Sequence, residues 1–179
     1  MEAPLTDSFK FTVRRATVDD AQAIASVLRD AFAPYEAQYT ADAYAATVLH
    51  PNIIRARMDE GPVWVALGGE AIVGTVAAVL KDGGAYVRSM AIAPHARGQG
   101  LGERLLGHVE HLARRHGMSR LFLSTTPFLA EAICLYERHG LRRTPEGPEA
   151  LCGTPLFTME KPLLPAEVRD GVPQSSSSK

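Results

Sequence analysis

Six residues, Arg97-Gly98-Gln99-Gly100-Leu101-Gly102, stand between a β-branched and apolar stretch ending Ala91-Ile92-Ala93-Pro94 and a run with helical periodicity. A glycine-dense turn with a strand in front and a helix behind points to an α/β architecture. It also gives that architecture a chemical use. Successive N–H groups at a helix start form an electropositive cradle, and glycine lets the main chain approach an anion with no Cβ in the way. A phosphate-bearing ligand is the first functional inference. An ordinary tight turn packed on a sheet also uses glycine, but it does not call for three glycines in five residues behind an arginine.

Spacing narrows the ligand. A P-loop requires Gly-Lys-Ser/Thr after four intervening residues, and the Lys is missing. A dinucleotide fingerprint counted from Gly98 and Gly100 needs a small residue where Glu103 stands. What is left is Arg-x-x-Gly-x-Gly behind a strand, and with it the chain resembles the GNAT superfamily of acyl-CoA-dependent N-acetyltransferases. The resemblance covers about residues 11–161 and is strongest over 87–140.

The 179 residues suit one domain with a substantial core. Residues 11–161 are expected to form that N-acetyltransferase domain, with 1–10 as an N-terminal extension. Residues 162–179, punctuated by Pro162, Pro165 and Pro173 and closing on four serines and Lys179, are expected to be a disordered tail or in part a cloning remnant. A net charge of −1 and an isoelectric point near 6.6 offer no electrostatic footprint for nucleic acid or an anionic membrane. Apolar runs fall short of the roughly 18 residues that a membrane span needs, and Glu2 and Asp7 interrupt any export signal. Cys134 and Cys152 are too few for a disulfide framework. Cys134 falls in an expected helix, as a small apolar thiol of the core. A reducing cytoplasm is the expected compartment.

Periodicity predicts a strand over 11–15, then a helix that Thr17 and Asp20 can cap, with Ile24, Val27, Leu28 and Phe32 on one face. A second helix starts at Thr40 or Asp42, runs through Tyr44 and Val48, and ends at Pro51; residues 53–59 read either way. Strands over 63–67 and 71–80 join at Gly68-Gly69, and Asp82-Gly83-Gly84 turns into a strand over 86–93. The helix behind the loop carries Leu101, Leu105, Val109 and Leu112 and ends near Gly117. A strand over 121–124, a helix over 129–139 closed by Gly140, and a strand over 156–160 complete the chain. The fold class is α/β: a mixed, largely antiparallel central sheet flanked by helices, to which the resemblance adds a splayed strand pair holding the cofactor.

The resemblance implies acetyl-CoA as co-substrate and no metal. The N–H groups of Arg97, Gly98, Gln99, Gly100, Leu101 and Gly102 then hold the pyrophosphate, with added charge from the Arg97 side chain. Met90, Ala91 and Ile92 pair through their main chain with the pantetheine arm, which behaves as an added strand. The segment Ala132-Ile133-Cys134-Leu135-Tyr136-Glu137-Arg138-His139-Gly140-Leu141 resembles the family helix whose tyrosine faces the thioester sulfur, although Leu141 stands where Phe is common. Tyr136 is the candidate catalytic residue. A phenol near pKa 10 gives its proton to a thiolate near 8.5 only at a cost of about 2 kcal/mol, so a hydrogen bond that strengthens as sulfur gains charge is the favoured role. A tyrosine anchoring its helix to the core is the plain alternative.

Two positions depart from the family. Leu129 stands where many members carry an Asn that contacts the pantetheine arm, and Arg88 where many carry a Glu acting as general base. Arginine cannot serve as a base at neutral pH; it either binds an acidic group on the acceptor or projects into solvent. An alkylammonium is only about one part in a thousand neutral at pH 7.4, so Glu36, Glu70 and Asp82 are carried as candidate bases. Tyr35 and Glu36 fall where the family builds its acceptor wall. His108 and His111, three apart, read as a solvated helix face rather than a metal pair. The resulting expectation is direct acetyl transfer to the primary amine of a small-molecule or peptide acceptor, with no covalent enzyme intermediate and possible homodimerisation. A non-catalytic acyl-CoA-binding module and an acyltransferase using a longer acyl-CoA are the alternatives.

Overall fold

The computed structural model describes residues 11–164. Its elements are β1 (Thr12–Arg15), α1 (Ala21–Phe32), α2 (Ala41–Thr47), α3 (Pro51–Met58), β2 (Val63–Gly68), β3 (Ala71–Lys81), β4 (Gly84–Ile92), α4 (Leu101–Arg115), β5 (Arg120–Thr125), α5 (Ala130–Arg138), β6 (Arg142–Thr144), β7 (Ala150–Leu151), β8 (Thr154–Pro155) and β9 (Phe157–Pro162). Seven strands form one sheet in the order β1-β2-β3-β4-β5-β9-β6, and β7 pairs with β8 in a separate hairpin. Every ladder of the large sheet is antiparallel except β4–β5.

Alternation along β2 shows how the sheet acquires two cores. Trp64 and Ala66 pack with Leu101, Leu105, Leu106 and Val109 of α4, while Val63 and Val65 pack with Ile24, Val27 and Leu28 of α1 and Ile54 of α3. Side chains two apart on a strand share a face, so each helix layer receives its own set.

Two expectations about prolines and ends are corrected. Pro51 does not stop α2; it opens α3 at its first position, where a missing N–H costs nothing. Of the ambiguous stretch 53–59, residues 53–58 belong to that helix and Asp59 caps its end. At the other end β9 runs to Pro162 and Leu163 is buried, its N–H bonded to Ser119 O at 2.8 Å, so packed chain continues past Lys161. The expected N-terminal extension and the rest of the tail lie outside the described residues.

Asp20 ties β1 to the start of α1. Its carboxylate accepts from Arg14 Nη1 and Nη2 at 2.7 and 2.9 Å and from the Thr17 N–H at 2.8 Å. Hydrogen bonding to Arg14 is the main reason its pKa falls from 3.8 to about 2. A carboxyl held below its unfolded value stabilises the fold at all higher pH, and that stabilisation disappears as the pH drops through the folded value. Asp20→Asn is expected to cost about 1 kcal/mol near neutrality. In denaturant melts, its difference from wild type should shrink as the pH falls from 3.8 toward about 2.

Candidate active site

Two irregularities of β4 open the sheet. On one edge β4 pairs with β5 only at Gly84↔Arg120, Ala85↔Leu121 and Tyr86↔Phe122. Both strands continue, to Ile92 and Thr125, without further pairing. Their divergence leaves a slot with main-chain groups of β4 along one side. On the other edge the β3–β4 register steps from Thr75↔Ala91 to Ala77↔Arg88, so Val76 faces both Ser89 and Met90. Ser89 takes φ +50 in this bulge, an uncommon conformation for a residue with a Cβ. A bulge re-aims the side chains that follow it: Met90 and Ile92 pack with the α4 core and Ala91 with the α1 core.

The glycine loop follows after a short 3-10 turn, Pro94–Ala96. Gly98 and Gly100 have φ +75 and +74, and a Cβ at either would meet nothing within 4 Å. Glycine is needed there for its backbone, and the space beside it is open. Gly102 differs: it sits inside α4, and a Cβ there would lie 2.5 Å from Leu135 Cδ2 on α5. The first helical bond of α4 runs from the Arg104 N–H to Gly100 O at 3.2 Å. Among the described residues the N–H groups of 100–103 find no main-chain acceptor. Glu103 takes up its own N–H, the largest of the effects holding its carboxyl below the usual range, and Arg138 pairs with it at 3.0 Å. Residues 100–102 are left pointing their N–H groups outward at a positive helix end.

A cleft of about 1060 Å³ joins slot, loop and α5. Of the expected residues, Met90, Ala91, Ile92, Arg97, Gly98, Gly100, Leu101, Gly102, Tyr136 and Tyr35 line it; Gln99, Glu36 and Arg88 do not. Tyr136 is 8% exposed and packs in the α4 core, so it is both core tyrosine and cleft wall. Burial, with Tyr39 and Tyr86 adding, pushes its phenol pKa well above the ordinary value. It therefore stays protonated as a hydrogen-bond donor.

Several side chains behave differently from expectation. Arg97 spends its donors inside the protein: Nε on Ile92 O, Nη2 on Ala31 O, both at 3.3 Å, and Nη1 3.5 Å from Glu131. It clamps the end of β4 to α1 instead of presenting a free cation to the loop. Cys134 is not a core thiol; it is exposed on α5 and lines the cleft. Glu70 and Asp82 are exposed in the turns at the two ends of β3, off the cleft. Arg88 is no solvent arm either, being 17% exposed and paired with Glu60 at 2.7 Å. His108 and His111, by contrast, stand exposed on α4 as the expected solvated face.

Sequence reasoning missed part of the wall. Glu131, Cys134 and Arg138 form a stripe of α5 along the cleft, and their spacing of three and four was the signal for it. It also missed the aromatic group beside Tyr35. Tyr35 stacks on Phe128 at 6.3 Å, and Tyr39 meets Phe128 edge-on at 4.9 Å and Phe32 at 6.4 Å. The segment 33–40 carrying these tyrosines is held by the β7–β8 hairpin: Thr40 N–H donates to Thr154 Oγ1 at 2.9 Å, and Thr40 Oγ1 to Cys152 O at 2.7 Å.

The acetyltransferase (GNAT) family model matches residues 22–141. The chain is 40% identical over 102 residues to an IAA acetyltransferase of Azospirillum brasilense, a match covering 55% of this chain and 66% of that relative, just under two thirds. It is 35% identical over 136 residues to an uncharacterized N-acetyltransferase, YjgM, of Escherichia coli strain K12, covering 72% of this chain and 80% of the relative. Among solved structures, the PaiA N-acetyltransferase of Thermoplasma acidophilum in complex with coenzyme A superposes with a TM-score of 0.69 at 16% identity, covering 86% of this chain and 99% of that one. The protein is an acyltransferase. It belongs to the GNAT family of acetyltransferases.

Proposed function

We propose that the protein moves an acetyl group from acetyl-CoA directly to a primary amine. The observation that carries this reading is the convergence in one cleft of three things: outward N–H groups at the start of α4, the unpaired edge of β4, and a protonated Tyr136. The site fits the donor on its own geometry. Open space beside Gly98 and Gly100, where a Cβ would stand, suits a diphosphate against the amides of residues 100–102. The edge of β4 between Val87 and Ile92 suits the amide-bearing arm as an added strand.

In this reading α4 binds, β4 orients, and Tyr136 hydrogen-bonds the sulfur. As the amine nitrogen bonds to the acyl carbon and the carbon–sulfur bond breaks, charge builds on sulfur, where a preorganised donor helps most. Tyr136 keeps its proton; the nitrogen gives up one proton to solvent as the amide forms, and the thiolate takes one from solvent. Tyr35 and the neighbouring aromatic residues wall the acceptor side, and Glu36, exposed next to Tyr35 though outside the cleft lining, is the carboxylate carried as candidate base. A reducing, cytoplasmic setting suits two exposed and unpaired thiols, Cys134 and Cys152. Residues 11–163 act as one catalytic domain.

Thiol release from acetyl-CoA in the presence of a panel of primary amines tests the reading, beside calorimetric titration with acetyl-CoA, CoA and dephospho-CoA. Expected are binding of acetyl-CoA and amine-dependent thiol release. Folded protein that binds none of the three overturns it.

A further inference from the structure

Two guanidinium groups lie together on the α1 and α3 side of the sheet, immediately before the β4 bulge. Arg88 Nη1 is 2.7 Å from Glu60 Oε2, and Arg88 Nη2 donates to Arg57 O at 3.4 Å. Arg57 Nη1 in turn donates to Ser89 Oγ, in the bulge itself, at 3.3 Å. The Arg88 side chain is 17% exposed and that of Glu60 is 53% exposed. Arg88 is thus paired with a carboxylate that is much the more exposed of the two, while Arg57 beside it donates to Ser89 Oγ. Burial, followed by the neighbouring charge of Arg88, lowers the pKa of Arg57. Arg88 Nε is buried with no partner among the described residues, so one edge of its planar fork has an unmet donor.

The strand itself connects this pair to the cleft. Met90, two residues beyond Arg88 on β4, lines it, and Ser89 between them is the residue to which Arg57 donates.

We propose that Arg57 and Arg88 form a carboxylate subsite for the acceptor, so that the amine acetylated here belongs to a small molecule that also carries a carboxylate. The inference rests on the acetyl-transfer reading above. Glu60 occupies the subsite until an acceptor arrives. The incoming carboxylate then displaces Glu60, which at 53% exposure is rehydrated on release, and takes up the Arg88 fork. Arginine suits this exchange because its fork matches a carboxylate with two parallel bonds. A neutral amide in the same place leaves two desolvated cations short of an anion, which makes the subsite selective.

The test pairs acids with their own amides. Thiol release is measured for the common α-amino acids and for ω-amino acids of two to six carbons, each beside its primary amide. For at least one pair, kcat/KM for the acid is expected to exceed that for the amide by roughly 10- to 100-fold. Arg57→Lys and Arg88→Gln should bring that ratio toward one. Glu60→Gln, at an exposed position, should lower KM for the acid about threefold by removing the competing carboxylate. A wild-type ratio near one, a ratio that both arginine variants leave intact, or turnover of none of the acids overturns the subsite. Calorimetry with acetyl-CoA on the same proteins separates the two levels. Acetyl-CoA binding and amine turnover with no preference for acids remove the subsite alone, whereas failure of folded wild type to bind acetyl-CoA removes the reading beneath it.

Discussion

Gly100→Glu is expected to abolish acetyl-CoA binding, lowering affinity by at least about 100-fold in calorimetric titration. Two effects combine. At φ +74 any side chain strains the turn by roughly 1–2 kcal/mol. More damaging, the new carboxylate enters the open space beside the outward N–H groups of residues 100–102, where it takes the place of a phosphate and repels one. Gly69→Glu separates the two effects. Gly69 has φ +65 and equally open surroundings, but lies in the β2–β3 turn. It should carry the backbone cost and bind acetyl-CoA normally. Equal affinity in wild type and Gly100→Glu would remove the loop from the cofactor site.

Tyr136→Phe should divide the two halves of the mechanism. The ring remains in place against the α4 core, so folding and acetyl-CoA affinity are expected to stay within about twofold of wild type. What disappears is one donor aimed at developing charge, and kcat is expected to fall roughly 100-fold, about 2.7 kcal/mol. The raised pKa of the phenol adds a second expectation. Because burial keeps Tyr136 neutral, the pH profile of kcat should have no limb from its ionisation anywhere below its ordinary pKa near 10. Unchanged kcat in Tyr136→Phe would return this residue to a purely packing role. A lower kcat accompanied by weaker acetyl-CoA binding would place the hydroxyl on the arm instead of the sulfur.

Much of the scaffold was legible because local physics decided it. The loop glycines, the apolar stripe of α4 and the Asp20 cap are each set by a few neighbouring residues, and each stands where its spacing put it. Pro51 shows the limit of that reading. A proline ends one helix or starts the next with equal local sense, and here the burial of Ile54 beneath α1 settles the matter. The strand β6 and the β7–β8 hairpin left no usable pattern because they are two or three residues long; the hairpin is held by Thr40, 114 residues away from Thr154. The role of Arg97 was hidden for the same reason. Its partners, Ala31 O and Ile92 O, are main-chain atoms that acquire a position only after α1 has packed on the sheet. Arg57 was invisible as a partner of Arg88 because nothing in sequence links α3 to the bulge of β4.

The contact at Gly102 sets a dimension. Leu135 stands so near that glycine that α4 and α5 meet almost backbone to side chain, and Leu135 immediately precedes Tyr136. In the function proposed above, the helix end that would hold the diphosphate and the phenol that would meet the sulfur are thus the two jaws of one caliper, closed on a fixed span. A donor whose arm is shorter or longer can seat one jaw only. The gauge is set by a hydrogen atom at position 102, and a methyl group there would recalibrate it.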